Sequence, residues 1–269
     1  MPEITLSGRR FHWRQAGAGR PVLLAHCSLA HSGLWKPVIA DLARDHLVLA
    51  PDMPAHGRSD PPPDGVALPA HAVAGCRALV GMQDRPVHLV GLSLGAVVLG
   101  CLALEWPARV ASLTLIEPVW FHLLRDADPD ALAEDESLMH GVLADAASGD
   151  FHAAARAFME YWGMPGRFDA ADAAGRDYLA RCIRYLFGDV RRVGSWPPWR
   201  VTLDALARLD MPLMIVSGSQ TRPQARAVCD LLHRTIPGSR RERIAGAGHL
   251  SPVTHPQAVV RLLRDFWGA

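Results

Sequence analysis

Apolar and polar positions along this chain follow two different rhythms. Through the first 118 residues, short and almost unbroken apolar runs alternate with longer stretches of helical character, the pattern of β–α units that carry a parallel sheet. Four runs are apolar enough to be strands buried on both faces: Val22 to Cys27 (VLLAHC), His46 to Ala50 (HLVLA), Val87 to Leu92 (VHLVGL) and Val110 to Ile116 (VASLTLI). Helices are predicted between them at about 34–44, 70–82 and 94–105, the last stopping at Glu105-Trp106-Pro107, where proline disfavours continuation. From Trp120 to roughly Arg208 the rhythm changes. Ala-rich helical stretches at 151–162 and 169–187 carry many charges and are separated by Gly and Pro, with no strand signal among them. After Leu209 the alternation resumes with LMIVSG, a helix near 224–235, a strand in RERIAG and a last helix from Pro256 to Phe266. The prediction is an α/β fold with a mostly parallel central sheet flanked by helices. Residues 1–118 and 209–269 form its core, and residues 119–208 are inserted between them as a helical cap.

Size and charge narrow the function classes. A chain of 269 residues is near the upper end for one domain and long enough to bury a core with room for a lid. Lys plus Arg (28) nearly balance Asp plus Glu (27), so no strong field exists to collect nucleic acid or an anionic membrane surface, and neither is an expected partner. The cysteines Cys27, Cys76, Cys101, Cys182 and Cys229 are odd in number, widely spread and form no CxxC pair, which points to a reducing compartment without a structural metal. The N-terminal MPEITLSGRRFHWRQ lacks the apolar core of a signal peptide, and no uninterrupted apolar run reaches membrane-spanning length. A soluble cytoplasmic protein is expected, with a homodimer as the open assembly state.

The first chemical signal is Gly91-Leu92-Ser93-Leu94-Gly95, which directly follows the VHLV run and opens the apolar helix AVVLGCLAL. A nucleophile elbow needs this context: the chain reverses from strand to helix in a strained turn, and small residues two before and two after the serine let neighbouring segments approach. The helix N-terminus then aims its free N–H groups at negative charge developing on a substrate oxygen. A glycine-rich turn whose serine merely caps the helix would look similar, and the flanking strand and helix favour the nucleophile.

At these residues the chain resembles the α/β-hydrolase family, over nearly its whole length. His26-Cys27-Ser28, after the VLLA run, sits where the family usually has His-Gly and an oxyanion-hole residue, and Trp35 falls where an aromatic is common. Pro51 to Asp60 (PDMPAHGRSD) is similar to the family's loop after the next strand, and Gly248-His249 resembles the turn carrying its catalytic histidine. The resemblance implies Ser93 as nucleophile, His249 as general base and the backbone N–H groups of Ser28 and Leu94 as oxyanion donors. Cys27 replaces the usual glycine; with no charged partner for a thiolate in LLAHCSLA, it reads as a small buried apolar residue.

Thirteen histidines compete for the role of base. His12, His71, His88, His122, His140, His152 and His233 lie in strand- or helix-like segments, while His26, His31, His56 and His255 lie in loops. His249 is selected by its place after a strand and the flexible AGAG, and after the serine in chain order. His26 and His56 are expected to tie their loops together by hydrogen bonds. No HExxH or similar spacing suggests a metal, and no cofactor is expected.

The acid is displaced. The resemblance places it in the turn after LMIVSG, yet that turn offers Ser219, Gln220, Thr221 and Arg222, none of them anionic. Glu117 stands directly after VASLTLI, at the carboxyl edge of the sheet where catalytic groups gather in open α/β folds, and a carboxylate after so apolar a run needs a partner. Some α/β hydrolases are similar in carrying their acid there, which implies the triad Ser93, Glu117 and His249. A glutamate capping the lid junction or pairing with an arginine is the bland alternative; Glu242, within a strand, and Asp204, in a helix-like segment, are weaker candidates.

The inserted region brings Trp120, Phe121, Trp162, Met164, Phe187, Trp196 and Trp199. Trp120 and Trp162 are the candidate substrate-binding residues, although packing of the lid on the sheet accounts for such aromatics as well or better. Gly194 to Trp199 (GSWPPW) reads as a stiff connector back to the sheet. Dehalogenases and epoxide hydrolases of this fold use aspartate at the elbow, so a serine favours hydrolysis of a small-molecule ester, thioester or lactone through an acyl-serine. Carbon–carbon bond hydrolysis, acyl transfer and a non-catalytic ligand-binding homologue remain the alternatives.

Overall fold

A computed structural model describes residues 2–187 and 201–268 of the chain. Eight strands form one sheet: β1 (Glu3–Leu6), β2 (Arg9–Ala16), β3 (Arg20–Ala25), β4 (His46–Pro51), β5 (Val87–Leu92), β6 (Val110–Ile116), β7 (Leu213–Gly218) and β8 (Arg240–Ile244). Their order across the sheet is β1-β2-β4-β3-β5-β6-β7-β8, antiparallel at β1–β2 and β2–β4 and parallel from β4 through β8.

The central strands read as continuous apolar runs because each of their faces is covered by helices. Alternate residues separate cleanly between the two layers. Leu23, Leu89, Leu113, Leu115 and Ile215 join the apolar cluster that includes residues of α2 (Leu68–Gly81), α3 (Leu94–Glu105) and α8 (Pro223–Thr235). Their neighbours Val22, Leu24, Val90, Ile116, Met214 and Val216 join the opposite cluster, with α1 (Lys36–Leu42) and α10 (Pro256–Trp267). α3 is apolar all round and its residues from Leu94 to Ala103 are all buried, as a helix sandwiched between the sheet and its neighbours must be.

Between β6 and β7 the described residues form helices: a 3-10 turn at Phe121–Leu124, then α4 (Pro129–Ser148), α5 (Phe151–Tyr161), α6 (Ala173–Phe187) and α7 (Leu203–Ala207). α4, α5 and α6 share their own apolar cluster, around Val142, Ala154, Phe158, Phe168 and Ile183. Residues Trp196 and Trp199, and the connector Gly194 to Trp199, lie outside the described residues. A short helix, α9 (Ser251–Thr254), precedes α10.

Two elements go beyond the reading of the sequence. The N-terminal hairpin β1–β2 turns at Ser7-Gly8, both in the left-handed region (φ 48° and 72°), the backbone of a tight turn between twisted strands. The twenty-residue α4 is marked only by its ends. Asp128 caps it by accepting from the Ala131 N–H at 3.1 Å, Pro129 occupies its first turn, and Gly149 closes it at φ 88°. All five cysteines are free and buried. Among the described residues no helix is long and apolar enough to cross a membrane.

Leu89, fully buried at the centre of β5, reports on this core. Leu89→Ala is expected to destabilise the protein by about 2–5 kcal/mol, read as a lowered midpoint in urea unfolding.

Candidate active site

The carboxyl ends of β5, β6 and β7 lie side by side, and each delivers one part of the site. At the end of β5, Ser93 takes φ 56° and ψ −116°, a left-handed conformation that a non-glycine residue adopts only when its surroundings impose it. Those surroundings are tight. A Cβ on Gly91 would stand 2.4 Å from the Gly95 carbonyl oxygen, and one on Gly95 would stand 2.2 Å from that of Ala25. The Ser93 N–H donates to the Ile116 carbonyl at 2.9 Å, tying the elbow to the last residue of β6. Ser93 itself is almost wholly buried.

Among the described residues, the backbone N–H groups of Leu94, at the start of α3, and of Ser28, in the loop after β3, donate to no protein acceptor. That loop is held from both sides. His26 donates Nδ1–H to the Cys27 carbonyl at 2.7 Å and accepts from the Met53 N–H at 2.9 Å; His56 donates to the Pro54 carbonyl at 2.9 Å and accepts from the Leu29 N–H at 3.1 Å. Burial pushes both imidazoles down, to about 4 and about 3, which keeps them neutral and able to accept. Asp52 accepts from the backbone N–H groups of Ser32 at 2.8 Å and Arg58 at 3.0 Å. The loop-tying role expected of His26 and His56 is the one they perform. Burial pushes the Cys27 thiol up to about 12, so no thiolate competes with Ser93.

Glu117 follows β6 in a left-handed conformation, φ 47°, and is completely buried. Its Oε1 accepts from the Gly218 N–H at 2.8 Å, and its Oε2 accepts from the Thr221 hydroxyl at 2.6 Å and from His249 Nδ1 at 2.6 Å. Burial is the largest influence and would raise this carboxyl, but the His249 hydrogen bond and charge, the Thr221 hydroxyl and the Gly218 N–H together hold it below the ordinary glutamate value. The turn that lacks an acid therefore supplies two of the three donors to the Glu117 carboxylate.

His249 is brought to Glu117 by packing between the turn after β7 and the loop after β8. Gln220 N–H donates to the Ala247 carbonyl at 2.8 Å, Ser219 N–H to that of Ile244 at 2.9 Å, and Gly246 N–H to the Ser219 hydroxyl at 2.9 Å. A Cβ on Gly218 would stand 2.1 Å from the Ala247 carbonyl oxygen, so the approach needs glycine there. With Nδ1 committed as donor to a carboxylate, Nε2 is the basic nitrogen. Glu242 pairs instead with Arg240 at 2.6 Å, and Asp204 lies in the first turn of α7.

The two candidate substrate-binding tryptophans separate. Trp120 is fully buried, and a Cβ on Gly100 of α3 would stand 2.4 Å from its ring, a position accounted for by packing in the core. Trp162 lies at the site. Its indole stacks on the His249 imidazole with centroids 3.8 Å apart and planes 20° apart, and Phe121 stacks on it in turn at 6.4 Å. Sequence reasoning placed Trp162 near the substrate but gave no sign of its contact with the histidine. It also missed Tyr178 of α6, which accepts from the Gly57 N–H at 3.1 Å and donates to the Ala30 carbonyl at 2.7 Å.

Residues 20–256 match the family model described as alpha/beta hydrolase fold. The chain belongs to the α/β-hydrolase family. A pimeloyl-[acyl-carrier protein] methyl ester esterase of Methylococcus capsulatus is 30% identical, over 93% of this chain and 96% of that protein. The solved structure of a hydrolase from Pseudomonas aeruginosa is similar at a TM-score of 0.73 and 26% identity, covering 100% of this chain and 98% of its own. A thermophilic esterase from Thermogutta terrifontis superposes at a TM-score of 0.70 and 21% identity, over 99% of this chain and 98% of its own, a likeness of fold.

Within this α/β-hydrolase the Thr221 hydroxyl has a measurable role. Glu117 is held below its unfolded value of about 4.3, so its stabilisation is complete above that pH and lost as pH falls through the lower folded value. Thr221→Val removes a donor to a buried carboxylate and is expected to cost about 1–3 kcal/mol at neutral pH. The gap between variant and wild type should narrow in acid, measured by urea unfolding at a series of pH values.

Proposed function

We propose that this protein is a serine esterase that hydrolyses a small-molecule carboxylic ester through an acyl-serine, with Ser93, Glu117 and His249 as its triad. The observation that carries the reading is the bond from His249 Nδ1 to a buried, fully partnered Glu117 carboxylate at 2.6 Å. A carboxylate so placed fixes the imidazole tautomer with Nε2 unprotonated and stabilises the imidazolium that forms when it takes a proton. The full family match and the methyl ester esterase relative support the ester as substrate class.

In this mechanism His249 Nε2 takes the Ser93 hydroxyl proton as Oγ attacks the ester carbonyl carbon. The tetrahedral oxyanion is held by the backbone N–H groups of Ser28 and Leu94, the latter at the N-terminus of α3, where the helix dipole favours negative charge. Collapse expels the alcohol, which receives its proton from the imidazolium. Water, deprotonated by His249, then attacks the acyl-serine carbonyl and releases the acid, regenerating Ser93. The strained elbow costs nothing at the moment of reaction, because the strain is already met by packing around Gly91 and Gly95. Residues 119–208 act as the lid. The absence of an acid from the turn after LMIVSG would favour a non-catalytic homologue, and the partnered Glu117 carboxylate supports the enzyme instead. With five free, buried cysteines, we place the enzyme in the reducing cytoplasm.

A fluorophosphonate probe tests the nucleophile: it should label the folded wild type at Ser93 and leave Ser93→Ala untouched, and labelling elsewhere or nowhere would sink the assignment. Glu117→Gln should lower kcat for a short aryl ester on the order of 10³–10⁴-fold. Wild-type turnover in that variant would remove Glu117 from the triad.

A further inference from the structure

The esterase mechanism uses the two nitrogens of His249 and leaves its ring face unaccounted for. That face is occupied. Trp162, the residue directly after α5, lies over it at 3.8 Å with its plane tilted by 20°. A single hydrogen bond from Nδ1 to Glu117 holds one edge of the imidazole but permits the ring to tilt about that bond, which would change the direction in which Nε2 points. An indole on the face removes the tilt. Its electron-rich face also favours the ring in the cationic form that exists only while the proton is in transit, so the contact is stronger during reaction than before it.

Trp162 is itself held, and the holder belongs to the triad's own turn. Its neighbour Tyr161 is buried; the phenol hydroxyl donates to the buried Asp135 carboxylate of α4. The Arg222 guanidinium lies 4.0 Å from the centre of the Tyr161 ring, and Arg222 Nη1 donates to the Tyr161 carbonyl at 2.8 Å. Arg222 Nη2 also reaches Gln224 Oε1 at 3.4 Å, and its charge acts on the Asp135 carboxylate that holds the Tyr161 hydroxyl, so both ends of Tyr161 are under its influence. Arg222 is the residue after Thr221, whose hydroxyl holds Glu117. One turn therefore grips the acid with one residue and the lid tyrosine with the next.

We infer that Trp162 is a positioning residue for the general base, and that Arg222, acting through Tyr161, seats it there, so that docking of this part of the lid and alignment of His249 are a single event. The inference rests on the triad assignment above. It differs from a substrate wall in what it predicts. A wall residue changes KM, and changes it more for longer acyl chains; a residue that aligns the base changes kcat alike for all of them.

The test measures kcat and KM for p-nitrophenyl acetate and p-nitrophenyl hexanoate in wild type, Trp162→Leu, Trp162→Phe, Arg222→Ala and the Trp162→Leu/Arg222→Ala double variant, with urea unfolding to confirm that each is folded. Trp162→Leu is expected to lower kcat by roughly 5- to 30-fold for both esters with KM within about twofold, the range a lost ring–cation contact implies. Trp162→Phe keeps an aromatic face and should recover most of the rate. Arg222→Ala should lower kcat in the same direction by a smaller factor and add nothing further in the double variant, since both act on one contact. A KM effect that grows with acyl length at unchanged kcat overturns the positioning role, and additive losses in the double variant overturn the part given to Arg222. Failure of the triad reading looks different: wild type itself would neither label with the fluorophosphonate nor turn over either ester.

Discussion

A glutamate carboxylate with no exposed surface is tolerable only where donors replace the water it has lost, and three do so around Glu117: a backbone N–H, a threonine hydroxyl and an imidazole N–H. Two come from one stretch of chain and the third from another. Gly218 ends β7, Thr221 lies in the turn beyond it, and His249 lies past β8, while the carboxylate extends from the end of β6. The anion thus gathers three segments at the sheet's edge. Because the pair is buried, its geometry is over-determined by hydrogen bonds rather than dependent on a screened surface attraction, which is what a base needs if its tautomer and direction are to be fixed before substrate arrives.

The backbone around this carboxylate carries a matching constraint. Ser93 and Glu117 both adopt left-handed φ values, at the ends of adjacent parallel strands in register at Leu92 and Ile116. At each position the chain must leave the sheet abruptly so that a side chain projects at the edge. The neighbouring glycines make room: without a Cβ at Gly95 or Gly218, the segments after β3 and before His249 can approach as closely as they do. The candidate active site is therefore as much a property of missing side chains as of the three proposed to react.

Much of this was legible in the sequence because it is written in short-range patterns. The parallel core announced itself in unbroken apolar runs, and β5, β6 and β7 begin and end where VHLVGL, VASLTLI and LMIVSG do. The elbow was legible from spacing, and the displaced glutamate from its position after so apolar a strand. What stayed hidden depends on contacts between segments far apart in the chain. No local pattern in GSQTRP says that Thr221 donates to a residue 104 positions away, and none in EYWGM says that Trp162 will stack on an imidazole. Trp120 is ambiguous for the same reason: an aromatic between β6 and the following helices looks alike in sequence whether it faces a cleft or packs, as this one does, beside Gly100. The helix α4 escaped because its body is polar and charged, so its evidence lay in the Asp-Pro start and the glycine stop rather than in periodicity.

The Tyr178 hydroxyl has a consequence for how the helices between β6 and β7 are attached. It bridges the Ala30 carbonyl and the Gly57 N–H, so α6 is fastened at one atom to the loop after β3, which carries Ser28, and to the loop after β4. Any displacement of α6 would pull on both loops at once. The tyrosine thus makes this helix an extension of the sheet's own loops rather than a layer resting on them.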